Sequence, residues 1–164
     1  MFEGKQTRIM ALGLDITLPP MWFQYRWQHD PEPDRVWCWD VTMAQDIQQA
    51  LKLTRPDLYA QAVQSYPIEF FLEPLAGNTV NVEYARSLRP ERLAVPLIGV
   101  CLPMPIMDGL SRVGVVIDGC HRLFRKHELG HTEVQVLHLP DEIEEVIRFP
   151  DDKVQALKTL GLLE

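Results

Sequence analysis

Cysteine is scarce and scattered in this chain. The three present, Cys38, Cys101 and Cys120, form no Cys-x-x-Cys pair. That spacing excludes a zinc knuckle or a disulfide framework and points to a reducing cytoplasm. Long apolar runs are missing too: none approaches the roughly 18 residues of a membrane span. No N-terminal run joins a basic start to an apolar stretch and a small-residue cleavage site. The expectation is a soluble, untargeted, cytoplasmic protein with no membrane partner. Positive charge is in deficit, with 16 Lys and Arg against 23 Asp and Glu, a net charge of −7. Such a chain repels nucleic acid overall, so any DNA contact rests on a local patch such as Arg122, Arg125 and Lys126. Internal repeats and low-complexity linkers are absent as well. What is present, 164 residues at 46% hydrophobic content, is enough for one domain with a real core.

Taken in order, Arg8 to Leu18 reads as a strand stopped by Pro19-Pro20. Met21 to Trp27 reads as a second, aromatic strand and Val36-Trp37-Cys38-Trp39 as a third. With the loop from Gln28 to Arg35 between them, they form a hairpin with a long tip. The Trp cluster reads as cross-strand core packing, or alternatively as a base-stacking platform. Asp40 or Thr42 caps a helix from about Met43 to Leu53, and Pro56 opens a second over Asp57 to Gln64. Ile68 to Glu73 reads as a strand. After a Gly77-Asn78 turn, the alternation of Val80, Val82 and Tyr84 makes Thr79 to Leu88 another strand. Leu88 to Leu93 reads as a turn bearing Arg89 and Arg92, and Val95 to Leu102 as a strand. Pro103, Pro105 and Gly109 form a loop. Glu133 to Leu139 is a closing strand, Asp141 to Glu145 a solvated acidic helix, and Lys153 to Leu160 a last helix ended by Gly161. The chain reads as α+β.

The most informative stretch is Val115-Val116-Ile117-Asp118-Gly119-Cys120-His121-Arg122, continued to Gly130. Three apolar β-branched residues meet Asp-Gly, and a helical spacing follows. This predicts strand, tight turn and helix, with Asp118 as cap and Gly130 as stop. Leu123, Phe124, His127 and Leu129 make its packed stripe. The turn puts Gly119, Cys120, His121 and Arg122 in the first helical turn, where unpaired N–H groups and the positive dipole end suit a phosphate. Arg122 adds a bidentate donor and His121 a titratable one. Asp118 is a candidate ligand for Mg²⁺ as well as a cap. Cys120 is either a thiolate lowered by its surroundings or a small residue that lets phosphate approach. Arg89 and Arg92 either reach the same phosphates or cover the surface.

The order of these pieces carries a resemblance. Leu88-Arg89-Pro90-Glu91-Arg92-Leu93, then Pro96 to Val100, then Val116 to Arg122, then Leu129-Gly130 and a Val-rich strand resemble the ParB/sulfiredoxin superfamily over residues 80–140. That likeness implies a ParB/sulfiredoxin-like mixed sheet with helices across a single domain, 1–164. Residues 1–80 are then a strand-rich N-terminal addition and 141–164 a helical tail. The Asp-Gly-Cys-His-Arg motif implies nucleotide-phosphate binding by Gly119, Cys120, His121, Arg122 and Arg89, with Asp118, His121 and Arg122 catalytic. The likeness extends to the plasmid fertility-inhibition factors of the oncogenic-suppression type. It implies an ATP-binding phosphohydrolase, with Mg²⁺ and possible DNA cleavage, that inhibits conjugative DNA transfer through a component of the transfer machinery. The Gly-Cys-His-Arg form is also similar to the sulfiredoxin signature, which implies an ATP-dependent thiol reductase using Cys120. A third expectation is a non-catalytic inhibitor that docks through the acidic segment or the Trp-rich strands. Departures from the family are an absent helix after the Arg-Pro turn and a missing Glu-Asn-x-x-Arg-type box.

Outside the motif, His131 and His138 read as surface residues. His29 with Asp30, Glu32 and Asp34 has no ligand spacing that supports a metal loop.

Overall fold

The computed structural model describes residues 6–11, 13–76, 78–104 and 112–163. In chain order it contains β1 (Thr7–Ala11), β2 (Leu14–Leu18), β3 (Trp22–Tyr25), β4 (Trp37–Asp40), α1 (Val41–Thr54), α2 (Pro56–Ala62) and β5 (Val63–Pro67). A 3₁₀ turn (Ile68–Phe71) leads into α3 (Leu72–Ala76), α4 (Val82–Ser87), α5 (Pro90–Leu93), β6 (Leu97–Cys101) and β7 (Gly114–Asp118). The chain ends with α6 (Cys120–Glu128), β8 (Glu133–His138), α7 (Asp141–Ile147) and α8 (Asp151–Thr159). The fold is α+β. Among the described residues no helix is long and apolar enough to cross a membrane. The turn signal at Gly77 and the loop residues Pro105 and Gly109 lie outside the described residues. The chain forms two compact units, residues 1–47 with 142–164, and residues 48–141.

In the first unit the expected single strand over 8–18 is instead a hairpin. Gly13, at φ +71, turns β1 back onto β2, and Ile9 faces Ile16. Glycine takes that backbone region without penalty, which an unbroken strand reading overlooks. The aromatic hairpin is as expected, β3 antiparallel to β4 with Phe23 opposite Trp39. Its tryptophans serve the core: Trp37 and Trp39 are buried, Trp39 stacks on Phe23 at 6.5 Å, and Trp22 packs against Phe149 at 5.8 Å. Buried rings offer no face to a nucleobase, so the stacking platform is excluded for Trp37 and Trp39. At the hairpin tip Asp30 is buried, accepting from Trp37 Nε1 at 3.2 Å and from the Glu32 amide at 2.9 Å. That carboxylate fastens the loop. The acidic helix α7 is less solvated than expected: Glu144 is buried and accepts from Trp39 Nε1 at 2.7 Å, with Arg148 beside it at 3.7 Å. Burial pushes the Cys38 thiol up to about 12, so it stays protonated.

The second unit is built on a four-stranded mixed sheet in the order β5-β8-β6-β7. β8 is not a closing edge: it runs antiparallel to β5 and parallel to β6. Its buried Val134 and Val136 join Leu97, Leu123, Ile68 and Leu75 in one apolar cluster. Three sequence expectations fail here. Val63 and Gln64, read as the end of the second helix, belong instead to the strand Val63–Pro67, because β8 offers it a partner, Tyr66 against Val134. Ile68 to Glu73, read as a strand, is the 3₁₀ turn and the start of α3, since Pro67 and Pro74 interrupt any ladder. Thr79 to Leu88, read as a strand, contains α4: the Asn81 side chain caps it, accepting from the Tyr84 amide at 3.0 Å. α5 is a single turn with Pro90 at its start, where a turn was expected.

Candidate functional site

β7 and α6 meet at Gly119, the N-cap of α6, at φ +113 and ψ 15. A Cβ there would stand 2.3 Å from Leu97 Cδ2 and 3.0 Å from Arg122 Nη2, so only glycine fits. The first intrahelical bond runs from the Leu123 amide to the Gly119 carbonyl at 2.9 Å. The amides of Cys120, His121 and Arg122 precede it, and the N–H groups of Cys120 and His121 point at the Cys120 sulfur. Asp118, expected as the cap, is paired with Arg122. Its Oδ2 accepts from Arg122 Nη2 at 3.2 Å, and the two side chains are 10% and 8% exposed. The far end of α6 is as expected: Gly130, at φ +82, closes it, with the His131 amide on the Lys126 carbonyl and the Gly130 amide on the His127 carbonyl.

Arg122 is not the open donor expected of it. It is buried, and Nη2 also donates to the Pro96 carbonyl at 3.1 Å, which in turn accepts from Gln48 Nε2 at 3.3 Å. Gln48 also hydrogen-bonds the Tyr59 phenol. Among the described residues the Arg122 Nε is buried without a hydrogen-bond partner, a costly state. A neighbouring cation, Lys126, is half-buried, and its pKa is lowered by burial and then by Arg122.

His121 has defined roles on both ring nitrogens. Nε2 accepts the Asn81 backbone N–H at 3.1 Å. An amide only donates, so Nε2 is unprotonated and the ring proton sits on Nδ1, 3.6 Å from Cys120 Sγ. The Tyr84 ring meets His121 edge-on at 5.0 Å. Burial, then Arg122, lowers the His121 pKa against the opposing pull of Asp118. His121 is therefore a neutral connector between α4 and α6. Cys120 departs from the thiolate expectation. Burial and then Asp118 raise its pKa, outweighing the backbone N–H groups of His121 and Cys120, which point at its sulfur, and Arg122.

The sequence motif thus places Asp118, Gly119, Cys120, His121 and Arg122 together, and not Arg89. Arg89 stands exposed at the N-cap of α5, and its side chain makes no hydrogen bond or ion pair among the described residues. Arg125 pairs with Glu128 at 2.7 Å, and Arg86 binds the same carboxylate at 2.9 Å. His127, expected on the packed stripe, is exposed, whereas His138, expected on the surface, is half-buried and 2.7 Å from the Tyr66 hydroxyl. Asn81, Tyr84, Gln48 and Tyr59 border the site without having been singled out. The spacing of Asp118 and Arg122, four residues apart, was a readable signal for their pairing. Nothing in the sequence pointed to Gln48.

The donor set fits an anion better than a resident metal. The Asp118 carboxylate already serves Arg122, whose charge opposes a cation. No group of three or more His, Cys, Asp or Glu able to hold a metal ion occurs among the described residues. What the site offers is the start of a helix and a buried guanidinium. No protein family, curated protein or solved structure matches the chain, so its functional reading rests on this geometry.

Proposed function

We propose that residues 115–122 bind the phosphate of a nucleotide, ATP in the first instance, and that the chain is a ParB/sulfiredoxin-like phosphohydrolase. The observation that carries this reading is the Arg122 Nε in the first turn of α6, buried without a hydrogen-bond partner among the described residues. The amides of Cys120, His121 and Arg122 would donate to phosphate oxygens, and Arg122 would offset their charge. Cys120 serves by being small: its side chain rotates off the amides when phosphate arrives. Asp118 holds Arg122 in place and is a positioning residue. Mg²⁺ arriving with the nucleotide would supply further charge neutralisation. Arg89, exposed at the start of α5 and without a side-chain partner among the described residues, would reach outward for a longer ligand. By the family resemblance, DNA and a component of the conjugative transfer machinery are the proposed targets, with inhibition of plasmid transfer the outcome. The direction of the Cys120 shift favours this reading over a thiol reductase.

The test is calorimetric binding of ATP with Mg²⁺, followed by phosphate release, on the wild type, Cys120→Ser and Cys120→Asp. Serine keeps the space and the amides, so binding survives. Aspartate puts a carboxylate on the helix start, which favours folding but occupies the anion's place. Binding should drop at least about tenfold, equivalent to roughly 1.4 kcal/mol, with the melting temperature held. Undiminished binding in Cys120→Asp, or no binding by wild type at millimolar ATP, removes the proposal. Activity lost in Cys120→Ser, with repair of a sulfinylated protein by wild type, moves the chain to the thiol reductases.

A further inference from the structure

α4 is docked on α6 by a small set of contacts. The Asn81 amide donates to His121 Nε2 at 3.1 Å, while the Asn81 side chain caps α4 through the Tyr84 amide. The Tyr84 ring lies edge-on to His121, and Arg86 reaches Glu128 on the last turn of α6. Ala85 is the buried residue of this short helix. One histidine nitrogen therefore sits at the point where α4 begins. That nitrogen must lack a proton for the contact to exist, because its partner is a backbone donor.

We propose that α4 is a proton-sensitive latch: neutral His121 fastens Asn81 to the start of α6, and protonation of His121 releases it. A protonated Nε2 turns its N–H toward the Asn81 N–H, replacing one hydrogen bond with two opposed donors. The amide loses its acceptor, and the cap of α4 loses the anchor that holds it against α6. Arg86–Glu128 remains as a hinge at the far end. The inference does not depend on phosphate binding. If an anion does bind at the α6 start, its charge favours the protonated imidazole, so anion and proton release the latch together.

The groups around His121 act on its protonation in both directions. Asp118, at the end of β7, favours the protonated ring, while burial and Arg122 oppose it. Cys120 and Tyr84 are the titratable groups that touch the ring. On α4, Glu83 is exposed, and Arg86, also exposed, is paired with Glu128. On α5, Arg89, Glu91 and Arg92 are exposed. Glu69 of the 3₁₀ turn and Glu73 of α3 are exposed too, and β6 carries no charged residue.

The experiment is amide hydrogen exchange on the full chain, read by NMR and corrected for intrinsic rates, while the His121 ring resonance reports its protonation. In wild type the Asn81 amide should lose about tenfold of its protection for each unit by which latching depresses the His121 pKa. The loss should follow the His121 titration curve. The Val136 amide, in the middle of the sheet, should stay protected throughout. In His121→Gln, which carries no titrating ring, the Asn81 step should vanish. No step in wild type overturns the latch. So does a step that persists in His121→Gln, or parallel loss at Val136, which would mark general unfolding.

Discussion

Replacing Gly119 by alanine tests whether the β7–α6 junction is built as described. Two separate terms oppose the methyl group. The backbone at φ +113 and ψ 15 lies in a region L-residues avoid, at about 1–3 kcal/mol. The new Cβ would also stand 2.3 Å from Leu97 Cδ2. Leu97 has no room to yield: it is 1% exposed and packed among Leu123, Val134 and Val136. Overpacking of that kind costs about 1–3 kcal/mol, and the stiffer unfolded chain returns roughly half a kcal/mol. The net expectation is a loss of about 3 kcal/mol. Gly130→Ala is the internal control. Its φ of +82 carries strain, yet nothing lies within 4 Å of its would-be Cβ, so only about 1 kcal/mol is expected. Urea unfolding followed by far-ultraviolet circular dichroism should separate the two by about 2 kcal/mol, and thermal melts by about 4–8 °C. If Gly119→Ala is no less stable than Gly130→Ala, the close approach of Gly119 to Leu97 is wrong, and with it the placing of α6 on the sheet.

Two further expectations concern the charges of the site. Arg122→Met strips the guanidinium from a carboxylate only 10% exposed, so it should cost about 3–5 kcal/mol. Adding Asp118→Asn should win part of that back, and a double variant no more stable than Arg122→Met in urea would show that the pair is not what holds the turn. The histidines set a pH dependence. Burial lowers the pKa of both His121 and His138 below the ordinary 6.5, so the unfolded chain takes up their protons first. Their contribution is complete above about pH 6.5 and is lost as pH falls through the lower folded-state values. Urea midpoints should decline from about pH 7.5 to about pH 5, less steeply in His121→Gln/His138→Gln; identical slopes in the two proteins would contradict this assignment.

The strand–turn–helix at 115–130 was legible because every signal in it is local: β-branched residues, a turn glycine, a helical stripe and a closing glycine. The aromatic hairpin was legible for the same reason. Residues 63–88 were not, because their states are decided from elsewhere. Val63 to Pro67 becomes a strand only through β8, some seventy positions later in the chain. Asn81 looks like one residue of an alternating strand until it is seen as a helix cap with Glu83 in the first turn. At the site, the motif residues from Asp118 to Arg122 lie together, but their states were not legible and Arg89 does not join them. Burial, invisible in composition, turned Arg122 inward, raised Cys120 and left His121 neutral. Glu144 likewise sits among exposed acids in sequence and is the one that α7 turns onto Trp39.

The placing of β8 between β5 and β6 has a consequence for how the second unit comes into being. β6 and β7 form a hairpin from neighbouring chain, so they can pair as soon as both exist. β5 has no hydrogen-bonding partner until residues 133–138 are added between it and β6. During synthesis, then, β5 waits unpaired while the 65 residues from 68 to 132 are made, and the edge of β6 that takes β8 waits for the 31 from 102 to 132. Sheet closure is a late, long-range step, of the kind that slows folding and leaves edges open to the wrong partner. A ribosome stalled before Glu133 would hold a chain with its hairpin formed and its sheet unfinished.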